Sequence, residues 1–142
     1  MKRKMVIGML TMGMVLCGAM TVSAESDGYV ISASHGYGAV EHWEIKTIGM
    51  QDAAKDLGVE FNYKYADGDL QQEVADIENF VEMGTNYIIV GPCNSEGIVP
   101  VIEEAQDKGV AVGTCDIGIE GVDVASFVSS DITALERLQQ II

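Results

Sequence analysis

Residues 70–92 read LQQEVADIENFVEMGTNYIIVGP. The first part carries Val74, Ile77, Phe80 and Val81 at helical spacing, which predicts a helix over Leu70–Met83 with one buried stripe. Asp69 or its neighbour stands where an N-cap belongs. Gly84 sits just past the last periodic residue and stops the helix. Tyr87-Ile88-Ile89-Val90 follows with no polar alternation, so it reads as a strand buried on both sides, closed by Gly91-Pro92. A helix that ends in glycine and feeds an apolar strand within three residues is half of a parallel crossover unit.

The same unit recurs on either side. Upstream, Tyr29–Ala33 reads as a strand. Glu44–Leu57 reads as a helix with Ile45, Ile48, Ala53 and Leu57 near helical spacing, ended by Gly58. Val59, Phe61, Tyr63 and Tyr65 then alternate with Glu60, Asn62 and Lys64, a period of two that predicts a strand near the edge of a sheet. Downstream, Ser95 caps a helix with Ile98, Val99, Ile102 and Ala105 inward, and Gly109 ends it. Val110–Thr114 and Val124–Val128 read as the fourth and fifth strands, and Asp131 caps a last helix that runs to Ile142. Repeated units of this length force parallel pairing with right-handed crossovers. The fold class is therefore α/β, an open doubly wound parallel sheet with a flavodoxin-like strand order.

The N-terminus has a different composition. Lys2-Arg3-Lys4 precedes an uncharged apolar run from Met5 to Met20, and Val22-Ser23-Ala24 supplies small residues before Glu25. That is the pattern of a secretory signal peptide over residues 1–24, with cleavage after Ala24. The run is somewhat short for a membrane-spanning helix. Cys17 raises lipidation as an alternative, but Leu16 before it is a poor match to a lipoprotein site. The expected location is the periplasm or cell envelope.

The 142 residues carry a formal charge of −14, from 22 acidic and 8 basic side chains. Three of the eight bases lie in the leader, so the remainder is more acidic still. Such a surface repels phosphate backbones and anionic lipid, which excludes nucleic-acid binding and disfavours membrane docking. The apolar fraction of 48% fits a folded domain and not a disordered one. With 3 cysteines in the chain, a disulfide scaffold is not expected. Cys93 and Cys115 end neighbouring strands, where disulfide geometry is seldom met, so both read as free thiols.

Ligands of such sheets bind beyond the carboxyl ends of the strands. That selects the loops Ser34–Trp43, Ala66–Asp69, Gly91–Ser95, Cys115–Val122 and Ser129–Asp131. No enzyme motif fills them. Gly36-Tyr37-Gly38 begins like a dinucleotide fingerprint, but Glu41 replaces its third glycine, and neither a phosphate loop nor a nucleophile elbow is present. His35, Glu41, His42 and Glu44 match no zinc spacing, so neither a metal nor a cofactor is implied. Trp43 can be core, or it can stack on the apolar face of a sugar. Asp116 can cap a helix, or it can accept two charge-assisted hydrogen bonds from hydroxyls.

In order, the leader, the first strand, an aromatic loop and the helix close Gly49-Met50-Gln51-Asp52-Ala53-Ala54-Lys55-Asp56-Leu57-Gly58 resemble the sugar-type periplasmic binding proteins, the ribose-binding-like solute receptors of ABC importers. Gln72–Met83 with Gly84–Pro92 is similar to that family's second helix and third strand. Ala105–Val112 is similar to its third helix and the strand ending at Asp116. Ser129-Ser130-Asp131 is similar to its crossing point between lobes. The resemblance implies a type I periplasmic-binding-protein lobe with no catalysis, a sugar or polyol ligand, and importer membrane subunits as partners. It implies Trp43, with His42, as the stacking pair and Asp116 as the hydroxyl acceptor; Asn94 and Asp131 are weaker ligand contacts. Ile117 stands where the family commonly has an arginine after the aspartate.

The resemblance also implies two lobes and roughly twice this length. Residues 25–131 then form the N-terminal lobe and 132–142 begin the crossover to a second. Two other readings fit the same elements. One is an exported flavodoxin-like domain or enzyme, against which the missing motifs count. The other is a truncated product without function.

Overall fold

A computed structural model describes residues 28–38 and 41–129. The signal-peptide reading, the lipidation alternative at Cys17, Asp131 and the crossover helix all lie outside the described residues. Five strands form one parallel sheet in the order β2-β1-β3-β4-β5. The strands are β1 (Val30–His35), β2 (Glu60–Tyr65), β3 (Tyr87–Gly91), β4 (Ala111–Cys115) and β5 (Ser126–Val128), and the helices are α1 (Glu41–Leu57), α2 (Leu70–Glu82) and α3 (Val99–Asp107). The order reverses between β1 and β3, which is where a doubly wound sheet opens a crevice. β2 lies at the sheet edge, as its alternation predicts.

Strand alternation separates two faces. Ile88, Val90 and Val112 point to the face covered by α2 and α3. There they close a core with Ile77, Phe80, Ile98, Val101, Ile102 and Ala105. Ile31 and Ile89 point the other way, toward Met50, Ala54 and Leu57 of α1. Asp69 caps α2 as expected, accepting the backbone N–H groups of Gln71 and Gln72 at 2.9 and 3.3 Å. Gly84 and Gly109 adopt φ of +81° and +86° past the ends of α2 and α3, where a Cβ would be strained.

Four local expectations are corrected. Strand β1 runs on through Ser34 and His35, which keep pairing with Lys64 and Tyr65 of β2 and with Val90 and Gly91 of β3. Helix α1 starts at Glu41, three residues early, with Glu41 and Glu44 in its first turn, where carboxylates meet the positive end of the helix dipole. The first loop is correspondingly shorter. The inward face of α1 also differs: Trp43, Thr47 and Ala54 are buried, whereas Ile45, Ile48 and Leu57 are 62%, 56% and 62% exposed. Helix α3 starts at Val99 behind Ile98 with no side-chain cap, so Ser95 does not cap it; the turn before it is closed by Asn94, whose side-chain oxygen accepts from the N–H groups of Glu96 (3.2 Å) and Gly97 (2.8 Å).

Candidate functional site

The early start of α1 brings His42, Trp43 and Lys46 onto its first turns, above the carboxyl ends of β1, β3 and β4. Trp43 lies with its ring edge on Gly91. A Cβ at that glycine would come within 2.5 Å of the indole Cη2, so only glycine lets the ring settle there. The indole is 5% exposed. It is tilted against His35 at 5.0 Å between centroids and meets His42 edge-on at 5.6 Å. The Lys46 ammonium lies 5.0 Å from its ring centroid, a cation–π contact.

His35 supports this arrangement from below. Its ring stacks on Tyr65 at 5.3 Å. Thr47 Oγ1 lies 3.1 Å from His35 Nε2, 2.9 Å from the Tyr65 hydroxyl and 2.9 Å from the Trp43 carbonyl. A hydroxyl has one proton to give. Thr47 gives it to the carbonyl, so it accepts from the other two, and His35 carries its proton on Nε2. The Nδ1 atom is buried and finds no hydrogen-bond partner among the described residues. Burial, and secondarily the Lys46 charge, push the His35 pKa down to about 4, so the ring is neutral. His35 is therefore a buried support for Trp43, while His42 points outward with a side chain 57% exposed. The two histidines of the first loop do not converge.

Asp116 is held in an unusual way. Its φ is +65°, rare for a non-glycine residue. The N–H of Ile117 donates to the Cys115 carbonyl at 2.8 Å across it, which makes Asp116 the centre of a γ-turn of the rarer, strained hand. Its own N–H donates to the Val128 carbonyl at 2.8 Å. The carboxylate Oδ2 is 2.6 Å from His42 Nε2 and also pairs with Lys46 Nζ. The side chain is 16% exposed. Strain of this kind collects at functional sites and is held by the surrounding structure.

The structure thus brings Trp43, His42 and Asp116 into one cluster. Asn94 stands at the end of β3 with its carbonyl oxygen committed to the turn before α3. Beside it, the Tyr37 hydroxyl donates to the Cys93 carbonyl at 3.3 Å. Lys46 is the member that sequence reading missed. The signal was present, since 46 is four residues after 42 and three after 43, but a helix begun at Glu44 hides that spacing. Ile117 has no charge to offer, and the cation at Asp116 comes from α1 instead.

Cys93 and Cys115 are unbonded. Burial, followed by the Glu73 carboxyl, raises the Cys93 thiol to about 11; burial raises Cys115 as well. Neither is a thiolate nucleophile at neutral pH. Next to the cluster an open groove of about 400 Å³ runs between α1 and the β4–β5 edge, lined by Gly49, Met50, Ala53, Cys115 and Val128 among others.

Residues 36–139 match the family described as periplasmic binding protein domain. The chain belongs to that family. It is 29% identical over 129 residues to a D-xylose-binding periplasmic protein of Haemophilus influenzae, covering 89% of this chain and 39% of that protein. It is 25% identical over 124 residues to a xylitol-binding protein of Mycolicibacterium smegmatis, covering 87% of this chain and 35% of that one. Among solved structures it superposes on an ABC transporter solute-binding protein from Mycobacterium smegmatis with bound glycerol. The TM-score there is 0.70 at 26% identity, over 78% of this chain and 38% of the other. The sequence therefore spans less than two fifths of the length of these relatives. The fold, an open parallel α/β lobe of the type I periplasmic-binding-protein class, agrees with the sequence expectation. Among the described residues no helix is long and apolar enough to cross a membrane.

Proposed function

We propose that this chain is the ligand-capturing lobe of an extracytoplasmic solute-binding protein that delivers a neutral sugar or polyol to an ABC importer. It binds and releases; no bond is made or broken. The observation that carries the reading is Asp116. A carboxylate on a strained γ-turn, at the carboxyl end of an inner strand, is linked to Trp43 through His42 and Lys46, and no described residue claims its second oxygen. That arrangement suits a molecule offering a hydroxyl on one side and C–H groups on the other. The names of the relatives, which bind D-xylose or xylitol, support the ligand class. The basic and apolar leader before Glu25 supports export.

Calorimetric titration of the chain with D-xylose, xylitol and D-ribose tests this. Asp116→Ala and Trp43→Ala should each weaken binding by about tenfold or more, the order of one charge-assisted hydrogen bond. Unchanged affinity in both variants would sink the site assignment.

A further inference from the structure

We propose that Lys46 is a specificity-determining residue of this site, a positioning residue that excludes amine-bearing ligands by holding Asp116 already neutralised. The inference rests on the sugar-binding reading and adds to it the charge class of the ligand.

Three observations lead here. The first is how the carboxylate is shared. Both His42 Nε2 and Lys46 Nζ bear on Oδ2, and no described residue takes Oδ1. Asp116 therefore presents a single oxygen, and a ligand meets one acceptor where an unpaired carboxylate would offer two.

The second is that neither partner is free to swing away. Asp116 is pinned on both sides by backbone hydrogen bonds, from its own N–H to Val128 and across the γ-turn from Ile117 to Cys115. Lys46 rises from the second turn of α1, its ammonium over the Trp43 ring. Its side chain is 21% exposed and that of Asp116 is 16% exposed. This is not a loosely solvated surface pair, whose coupling water would largely erase.

The third is the charge balance. A chain with a formal charge of −14 attracts cations generally. An aspartate open to a cleft on such a chain would draw ammonium groups first. Lys46 cancels that charge at the one place where ligand hydroxyls are to be recognised. Oδ1 keeps its ability to accept a hydrogen bond while the site loses its pull on a second cation. Neutral hydroxyls are thereby favoured over amines of the same shape.

The test uses the full chain with Lys46→Met, which keeps the unbranched side chain to within one atom and removes its charge, and Lys46→Arg, which keeps the charge. The sugar or polyol bound best among D-xylose, xylitol and D-ribose is titrated by calorimetry alongside its amino-deoxy analogue. The wild type should prefer the neutral compound. Lys46→Met should shift the ratio of the two affinities at least tenfold toward the amine, and Lys46→Arg should leave the ratio near that of the wild type. A loss of affinity in Lys46→Met that is equal for both compounds would show a merely structural lysine and overturn the inference. Circular dichroism of both variants separates that outcome from misfolding. If the wild type binds none of the three neutral compounds, the sugar reading itself fails, and the specificity inference with it.

Discussion

The two faces of the sheet are built on different rules. On the α2/α3 face, Phe80, Ile77, Ile88 and Ile102 are each at most 1% exposed and form a continuous apolar layer. On the other face, among the described residues, α1 alone covers the strands. Its contacts at the carboxyl end are polar and aromatic: Thr47 to His35 and Tyr65, and Lys46 to Trp43 and Asp116. The first face holds the lobe together. The second holds side chains in defined directions at the sheet's carboxyl edge. Apolar packing is non-directional and tolerant of exchange, whereas a hydrogen-bonded aromatic stack fixes rotamers. The division of labour follows from which side of each strand a residue occupies.

Truncation breaks this comparison most sharply. Phe80→Ala empties the centre of the closed face and should cost about 3–5 kcal/mol in urea unfolding. Leu57→Ser, on the open flank of α1, should stay within about 0.5 kcal/mol, the usual range for exposed positions. Equal costs would mean that the α1 flank is as well covered as the core.

Titration sharpens it, because the two faces should respond to pH in opposite directions. His35, on the α1 face, has a folded pKa pushed below its ordinary 6.5 to about 4. Its neutral form is the folded form, so its contribution is intact above pH 6.5 and is lost as pH falls from 6.5 toward 4. The whole loss is about 3 kcal/mol, from 1.36 kcal/mol per pKa unit. The stability gap between wild type and His35→Gln should therefore shrink on acidification. Glu73, beside the closed core, accepts the Cys93 N–H at 3.0 Å through Oε2, while its buried Oε1 finds no partner among the described residues. Burial raises its pKa above 4.5. Its contribution is present below pH 4.5 and is lost as pH rises through the raised value. Glu73→Gln keeps an acceptor for Cys93 and carries no charge, so it should be more stable than wild type at pH 7 to 8, with the advantage fading near pH 4.5. Melting temperatures across pH 4 to 8 give both curves. Parallel profiles for the two variants and the wild type would refute the assignment of these groups.

The closed face was legible in the sequence and the open face was only partly so. The stripe Ile77 and Phe80, the all-apolar β3 and the cap at Asp69 state their places outright, because burial there demands apolar side chains at a fixed period. On α1 the apolar residues Ile45, Ile48 and Leu57 suggest the wrong inward face. The sheet beneath asks instead for a hydroxyl at 47 to serve His35 and a small side chain at 54. Those demands come from the neighbouring strands and leave no period in the helix. Trp43 and Asp116 could be named as candidates from residue type and loop position, and His42 from the family resemblance. Lys46 was hidden by the misplaced helix start, and its pairing with Asp116, 70 residues away on an unusual backbone conformation, leaves no local signal.

One feature of the open face bears on how the molecule can be watched. Trp43 is the only tryptophan in the chain. Its ring has an ammonium 5.0 Å from its centroid and an imidazole edge-on at 5.6 Å. Indole emission responds to nearby charge and to water at the ring edge, so ultraviolet excitation above the tyrosine band reads this one corner of the lobe and nothing else. The protein carries its own optical probe within the cluster proposed to meet the ligand.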